Sequence, residues 1–283
     1  MRPTAEQVIL VTGATDGLGR ALATELASRG ATLLLHGRDE ARLADTVERI
    51  RAENGNEKLR PYRADFSSLD EVGELAERIQ RDQDRVDVLV NNAGIGTALP
   101  GDGVRMESRD GHELRFAVNY LAHFLLTRRL ESLIVRSAPA RIVNVSSAGQ
   151  APIDFDDVML ERTYDGVQAY CQSKLAQVMF TFDLAEERRD AGVTVNCLHP
   201  ASYMPTKIVM HARGSAVSTL EEGLDATMRL AADAELEGVT GRYFNGQSEA
   251  RAHPQAYDPD ARRRLRELSE RLVGPGADGA LSA

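Results

Sequence analysis

Short apolar runs alternate along this chain with longer segments in which apolar residues recur every three or four positions. The runs predict β-strands, and the longer segments predict helices with one buried face, as the spacing of Leu22 and Leu26 illustrates. The predicted strands cover residues 8–11, 32–35, 59–64, 86–90, 141–145 and 194–198. The predicted helices cover residues 19–29, 40–52, 69–79, 113–129, 169–190 and 258–273.

The regular order of strand and helix predicts the fold class. Apolar runs without polar alternation are typical of parallel strands covered on both faces, and the intervening helices supply the covers. The sequence therefore predicts an α/β fold with a doubly wound parallel sheet of Rossmann type. No linker rich in serine, glycine or proline divides the chain, so residues 1–283 are expected to form a single domain. In such a fold, ligands bind at the carboxyl ends of the strands.

The composition narrows the range of partners. The formal net charge of −9 argues against the basic face that binding to nucleic acid or an anionic membrane needs. The two cysteines, Cys171 and Cys197, form no metal-binding or disulfide pattern, so no metal site is expected. We find no signal peptide and no run of roughly 18 apolar residues, and we expect a cytoplasmic protein without a membrane partner.

A glycine-rich segment, TGATDGLG over residues 12–19, separates the first strand from the first helix. Gly13, Gly17 and Gly19 permit a tight turn and a close approach of the backbone to a pyrophosphate. The N-terminus of the following helix then offers free N–H groups to the phosphates. A glycine-rich turn without a ligand is the alternative, but the strand before the segment and the helix after it favour dinucleotide binding.

The end of the second strand indicates which dinucleotide is bound. Enzymes that use NAD usually carry an acidic residue here, whereas this chain has Gly37 followed by Arg38. A guanidinium group suits the 2′-phosphate of NADP, so the sequence predicts NADP(H) rather than NAD(H). Asp39 is close enough in sequence to pair with Arg38, and Asp16 adds a second acid, so NAD(H) stays open as the alternative.

Tyr170 and Lys174 are the candidate catalytic pair. Residues four apart on a helix share a face, so both side chains can point into one cleft. A carbonyl that receives a hydride needs a proton, and a nearby ammonium group should lower the pKa of the Tyr170 phenol toward neutrality. Chance pairs of this kind are common, but Ser146, at the end of the fifth strand, adds a hydroxyl that can hold the substrate oxygen. Ser147 is the alternative hydroxyl.

These motifs, with the sequence NNAG at residues 91–94, resemble the short-chain dehydrogenase/reductase family in its single-domain branch. The resemblance implies that Asn119 holds a water beside Lys174 and that Asp65 contacts the adenine. The residues that the glycine loop, the strand ends and the resemblance together assign to the cofactor are Gly13, Thr15, Asp16, Gly17, Leu18, Gly19, Arg38, Asp65, Phe66, Asn92, Ala93, Gly94, Tyr170, Lys174 and Pro200.

Within that family the chain looks most like the retinol-dehydrogenase and protochlorophyllide-reductase-like subgroup. The long gap between Ser146 and Tyr170, the pair His199 and Pro200, and the last helix carry this likeness. Ala201 departs from the subgroup, which usually has glycine there. The family's habit implies a dimer or tetramer built through helices 113–129 and 169–190.

Residues 201–220 are expected to form a lid over the substrate. This segment is rich in apolar side chains, which suits a partly apolar substrate, although the same side chains could simply pack the domain. The sequence thus predicts an NADP(H)-dependent oxidoreductase that reduces a ketone or aldehyde, or oxidises the matching alcohol. The alternatives are a catalytically silent NADP-binding sensor or scaffold, an NAD-linked alcohol dehydrogenase, and an epimerase or dehydratase acting on nucleotide-sugars.

Overall fold

The computed structural model describes residues 1–97 and 104–274, which form one sheet with helices on both faces. The strands are β1 Val8–Val11, β2 Thr32–Gly37, β3 Leu59–Arg63, β4 Val88–Asn91, β5 Ala140–Val145, β6 Val193–His199, β7 Tyr243–Asn245 and β8 Ser248–Ala250. The helices are α1 Gly17–Ser28, α2 Glu40–Asn54, α3 Leu69–Asp82, α4 Leu114–Phe116, α5 Ala122–Arg136, α6 Gly166–Glu187, α7 Lys207–Arg213, α8 Leu220–Ala232 and α9 Pro259–Val273. The predicted single domain of residues 1–283 includes 98–103 and 275–283, which lie outside the described residues.

The sheet has the strand order β3-β2-β1-β4-β5-β6-β7-β8. β1 pairs in parallel with both β2 and β4, so the strand order reverses direction on either side of β1. A crevice opens at such a reversal, at the carboxyl ends of the strands. The predicted doubly wound α/β fold is confirmed, with one correction at the edge, where β8 runs antiparallel to β7.

Alternate residues of each strand enter two separate apolar cores. Leu10 and Leu34 pack on one face of the sheet, and Ile9 and Leu33 pack on the other. All four side chains are fully buried, as expected where helices cover both faces. The two cores hold the strands rigidly, and this fixes the positions of the residues that follow the strand ends.

The helix predicted at 113–129 is interrupted. α4 and α5 are joined by a π-helical turn, Ala117–Leu121, in which the backbone accommodates one extra residue per turn. Glu113 caps the start by accepting a hydrogen bond from the N–H of Phe116. The π turn contains Asn119, one of the predicted catalytic residues.

The C-terminal helix α9 packs along the helix pair that the sequence predicts as an interface between subunits. The hydroxyl groups of Tyr120 and Ser269 lie 2.7 Å apart and are buried. Arg266 donates to Asp183 of α6 at 2.8 Å. α9 therefore covers part of this surface with the chain itself. Within the described residues, no helix is both long enough and apolar enough to span a membrane.

Candidate active site

A cleft of about 1090 Å³ lies at the carboxyl ends of β1, β2, β4, β5 and β6. Every residue predicted to contact the cofactor lines this cleft, and so do Ser146 and Ser147. Pockets for drug-sized ligands are commonly about 300–1000 Å³, so this cleft has room for a dinucleotide together with a small substrate. Among the described residues, no group of three or more acidic, histidine or cysteine side chains is placed to hold a metal ion.

The glycine-rich loop is held tightly against the NNAG segment. Gly13 has a φ of +66°, and a Cβ there would lie 2.8 Å from the Cα of Ala93. A Cβ on Gly19 would collide with the carbonyl oxygen of Gly13. The side chain of Asn92 closes the loop by donating to the carbonyl of Thr12 at 2.8 Å. The loop therefore presents its backbone, without side chains, at the N-terminus of α1.

Asp16 caps α1 and joins three elements of the site. Its carboxylate accepts from the backbone N–H of Gly17 at 2.9 Å, and it forms ion pairs with Arg42 at 2.9 Å and Lys207 at 2.8 Å. Burial alone would raise the pKa of Asp16, but hydrogen bonds from Lys207, Gly17 and Arg42 lower it overall. Arg42 and Lys207 thus neutralise the negative charge of Asp16, so this carboxylate should repel a bound phosphate less than an unpaired one would.

Arg38 is exposed at the rim of the cleft, and Asp39 does not hold it. Asp39 instead caps α2 by accepting from the backbone N–H of Arg42 at 3.0 Å. Gly37 leaves no space for an acid beside it, because a Cβ there would lie 2.6 Å from Cγ2 of Thr15. The strand end therefore excludes the acidic side chain that a bound NAD would need and leaves a guanidinium in its neighbourhood.

His36 fastens the glycine-rich loop to the end of β3, a role that the sequence did not indicate. Its Nδ1 accepts from the backbone N–H of Gly13 at 3.2 Å, and its Nε2 lies 3.0 Å from the carbonyl of Ala64. The ring stacks on Phe66, with 4.2 Å between the centroids. Burial lowers the pKa of His36 to about 4, so the ring is neutral, with its proton on Nε2.

Asp65 lies at the wall predicted to receive the adenine. Its carboxylate accepts from the N–H of Ser67 at 3.0 Å and lies 3.4 Å from Arg109. Burial would raise the pKa of Asp65, but the bonds from Ser67 and the charges of Arg109 and Arg38 lower it overall. Asp65 is therefore anionic and faces the cleft close to Arg38.

The structure favours Ser147 over Ser146 as the hydroxyl beside Tyr170, and the catalytic role of either serine stays a prediction. Ser146 continues the ladder between β5 and β6, and its hydroxyl donates to the carbonyl of Lys174 at 2.8 Å, inside α6. The Ser147 hydroxyl is not tied to that carbonyl and accepts instead from the backbone N–H of Gly149 at 3.0 Å. It lies beside the Tyr170 phenol, whose pKa it lowers. Ser147, the alternative that the sequence left open, is thus the hydroxyl beside Tyr170.

Tyr170 and Lys174 do lie on one face of α6, but their electrostatics differ from the sequence expectation. The Nζ of Lys174 is 5.8 Å from the centre of the Tyr170 ring. Burial raises the pKa of the Tyr170 phenol, and the bond with Ser147 offsets only part of this increase. Burial also lowers the pKa of Lys174 to about 7. The predicted lowering of the phenol pKa is therefore wrong for this structure, because burial is the largest influence on that pKa.

Asn119 lies beneath the cleft and holds its floor. Its amide oxygen accepts from the backbone N–H of Ile95 at 2.8 Å, and its amide nitrogen donates to the carbonyl of Ile95 and to Ser173. A Cβ on Gly94 would lie 3.1 Å from the Asn119 amide oxygen. Asn119 thus anchors the loop after β4 to the π turn, whereas its predicted hold on a water stays a prediction.

The segment after β6 crosses the mouth of the cleft. It contains α7, a short helix that the sequence did not indicate. The side chain of Ile208 rests against Gly96 on the opposite wall, and a Cβ on Gly17 would lie 3.1 Å from Thr206. Met204 packs on Gly223 of α8, which anchors the segment at its base. These contacts join both sides of the cleft through residues 204–208.

A glycine loop at a strand reversal, a phenol with an adjacent hydroxyl and a buried lysine together define a dinucleotide-dependent oxidoreductase. Residues 7–215 match the family model described as short chain dehydrogenase. The chain belongs to the short chain dehydrogenase family. The expected retinol-dehydrogenase-like subgroup is also confirmed by the relatives.

The chain is 39% identical over 286 residues to retinol dehydrogenase 13 of Mus musculus, with 95% of this chain and 84% of the relative covered. It is 36% identical over 295 residues to retinol dehydrogenase 14 of Homo sapiens, with 95% and 86% covered. A short chain dehydrogenase from Shigella flexneri, solved as a complex with NADP, has a TM-score of 0.69 and 28% identity. That comparison covers 86% of this chain and 97% of the other.

Proposed function

We propose that this chain is an NADP(H)-dependent oxidoreductase that interconverts a partly apolar alcohol and the matching ketone or aldehyde. The observation that carries the proposal is the convergence of Tyr170, Ser147 and Lys174 beside the glycine-rich loop in a single cleft. The assignment of NADP rests on the strand end, where Thr15 closes the space beside Gly37 and where Arg38, which forms no ion pair among the described residues, lines the cleft.

The residues around the cleft match the chemical groups of the cofactor. The backbone of the loop at Gly13, Gly17 and Gly19 would bind the pyrophosphate, and Arg38 would bind the 2′-phosphate. Lys174 would hold the ribose hydroxyls. Gly94 leaves room for them, because a Cβ at that position would lie only 3.7 Å from the Nζ of Lys174. When bound, the nicotinamide supplies or accepts the hydride.

The chain's own residues then handle the substrate oxygen and its proton. The Ser147 hydroxyl positions the oxygen, and the Tyr170 phenol donates its proton as negative charge develops there. In the oxidative direction Tyr170 takes the proton back. Because burial raises its pKa, the Tyr170 phenol is protonated at neutral pH and carries the proton that the reductive direction requires.

The substrate class follows from the mouth of the cleft. We propose that residues 201–220 form the substrate lid, with Tyr203, Ile208 and Met210 as apolar side chains that remain partly exposed there. Such side chains suit an apolar substrate, which they would cover as water is excluded. The relatives are named retinol dehydrogenases, and retinol is a partly apolar alcohol of this kind. Retinol is therefore the first substrate to test.

The testing experiment measures binding of NADPH and NADH by fluorescence titration in wild type and Arg38→Ala. We expect wild type to prefer NADPH and the variant to lose roughly 10- to 100-fold of NADPH affinity only, since a hydrogen bond to a charged group is worth about 1.5–3 kcal/mol. Arg49→Ala removes an exposed arginine farther along α2 and serves as the control. Equal binding of NADH by wild type would favour the NAD-linked alcohol dehydrogenase.

Turnover separates the enzyme from a silent NADP-binding sensor. We expect Tyr170→Phe to bind NADPH as wild type does and to lose nearly all turnover with retinal and other apolar carbonyls. Tight NADPH binding by wild type without turnover across a broad carbonyl panel would favour the sensor.

A homo-oligomer built through α5 and α6 remains our expectation for the assembly. α9 covers part of that surface, so an interface would have to use the remainder or involve α9 itself. Sedimentation velocity over a range of concentrations tests this, and a monomer throughout would contradict it.

A further inference from the structure

The ammonium group of Lys174 is buried with neutral acceptors only. It donates to the carbonyl of Val145 at 3.0 Å and to Oε1 of Gln177 at 2.8 Å. Among the described residues, no carboxylate forms an ion pair with it. Gln177 thus supplies the one side-chain acceptor that the described structure gives to Lys174, and it is itself 1% exposed.

Gln177 is held in turn by a row of buried side chains. Its amide nitrogen lies 3.2 Å from Nδ1 of His123, and the same Nδ1 lies 3.0 Å from the backbone carbonyl of Asn119. Nε2 of His123 lies 3.3 Å from Oγ1 of Thr12. That hydroxyl accepts the backbone N–H groups of Asn92 at 2.8 Å and Ala93 at 3.0 Å. The row therefore leads from Lys174 to the place where the glycine-rich loop meets the NNAG segment.

The direction of the amide follows from chemistry. An ammonium group is only a donor, so the oxygen of Gln177 must face Lys174 and its nitrogen must face His123. Burial, together with the charge of Lys174, lowers the pKa of His123 to about 3, so the ring is neutral and carries a single proton. The carbonyl of Asn119 beside Nδ1 is a partner for that proton. Rotation of the Gln177 amide would turn its NH2 group toward the ammonium, so its oxygen stays on Lys174.

We propose that Gln177 is a positioning residue, whose amide oxygen holds the Lys174 ammonium in place for the proposed reaction. The inference rests on the proposed function, because it concerns the lysine assigned there to the cofactor ribose. Gln177 does not line the cleft and acts through Lys174.

The surroundings of Lys174 give this role a measurable consequence. Within residues 1–97 and 104–274, the titratable groups that face Lys174 are Tyr170 on the same helix and His123 on α5. β5 presents the carbonyl of Val145, and the loop after β4 presents Gly94. None of these groups is an anion at neutral pH, so the charged form of Lys174 is stabilised only by dipoles such as the carbonyl of Val145 and the amide oxygen of Gln177. Removing one dipole should lower the pKa of Lys174, and a carboxylate in its place should raise it.

The first test needs no activity. The full sequence contains only three lysines, Lys58, Lys174 and Lys207, so an NMR titration of lysine side chains gives few signals to assign. We expect the pKa of Lys174 to fall by about one unit in Gln177→Met and to rise by about one unit in Gln177→Glu. Lys58→Arg and Lys207→Arg identify the other two signals.

Gln172→Met is the matched control. Gln172 is equally buried on the same helix, but its amide nitrogen donates to the carbonyl of Val158. Circular dichroism establishes that each variant folds. An unchanged titration of Lys174 in both Gln177 variants, or shifts in the same direction, would overturn the proposal.

The second readout is the pH dependence of kcat/KM. In the pH profile of kcat/KM, we expect the apparent pKa that belongs to Lys174 to fall by about one unit in Gln177→Met and to rise by about one unit in Gln177→Glu. If wild type neither binds NADPH nor turns over, the proposed function fails, and the NMR titration still decides the role of Gln177. If wild type is active and this apparent pKa is unchanged in the variants, the positioning role alone fails.

Discussion

The two adjacent serines provide the sharpest test of the site, because they differ in what each hydroxyl touches. Ser147→Ala removes the partner of the Tyr170 phenol, whereas Ser146→Ala removes a bond to the carbonyl of Lys174 within α6. We expect Ser147→Ala to lower kcat by about 100- to 1000-fold, the usual cost of one lost donor at a developing oxyanion. We expect Ser146→Ala to keep kcat within a few-fold of wild type.

Stability cannot explain such a difference. Ser147 Oγ also accepts the backbone N–H of Gly149 at 3.0 Å, so each alanine variant loses one structural hydrogen bond. A bond of this kind is worth about 1 kcal/mol, or roughly 2–4 °C in melting temperature for a domain of this size. Both variants should therefore melt slightly below wild type and by similar amounts.

The assay is steady-state reduction of an apolar aldehyde at saturating NADPH, with thermal unfolding and NADPH binding measured on the same preparations. Ser147→Thr keeps a hydroxyl and should recover part of the activity. A large loss of kcat in Ser146→Ala, with Ser147→Ala nearly as active as wild type, would refute this account of the site.

Three further predictions follow from contacts around the cleft. Gly37→Asp should weaken the binding of both NADPH and NADH, because the new Cβ meets Cγ2 of Thr15. Adding Thr15→Ser, which removes Cγ2, should restore the binding of NADH alone, and recovery of NADPH binding instead would contradict this. The pKa of His36 is about 4 in the folded chain and 6.5 for a histidine exposed to water, so the unfolded chain binds the proton first and stability falls as the pH drops from about 6.5 toward 4. Denaturant unfolding should show that the free energy of unfolding of wild type falls by about 2 kcal/mol more than that of His36→Gln between about pH 7 and 5. The same pH dependence in both proteins would contradict this assignment to His36. Bound NADPH should slow tryptic cleavage after Lys207 and Arg213 if the lid closes over the cofactor, whereas unchanged rates would argue against a lid.

The parallel sheet could be predicted from the sequence because its strands are apolar on both faces and its helices carry regular apolar stripes. β7 and β8 were missed because strands of three residues are too short to reveal a period. α8 could have been found, since Thr219 and Glu222 have the spacing of a helix-capping pair, and Thr219 accepts the N–H of Glu222 at 3.1 Å. The π turn leaves no comparable mark in the sequence.

The site was predictable in its motifs and less so in its details. Two adjacent serines at a strand end cannot be told apart from the sequence, because the choice depends on the partner that the fold gives to each hydroxyl. Ser146 donates to the carbonyl of Lys174, whereas Ser147 lies beside the Tyr170 phenol. His36 and Gln177 give no sequence signal because their partners lie far along the chain. The catalytic and cofactor roles, the oligomer and the cytoplasmic location stay predictions.

Asp16 shares its carboxylate between Gly17, which begins α1, and Lys207. If residues 201–220 form the proposed lid, we expect cofactor binding and lid closure to be linked. By thermodynamic linkage, if closing the lid raises the affinity for the cofactor, then binding the cofactor stabilises the closed lid by the same free energy. The Asp16–Lys207 pair is largely exposed and worth no more than about 1 kcal/mol, which salt weakens. The packing of Ile208 on Gly96 does not depend on salt. We therefore expect ionic strength to set how often the lid opens, while the apolar contact sets how well it seals.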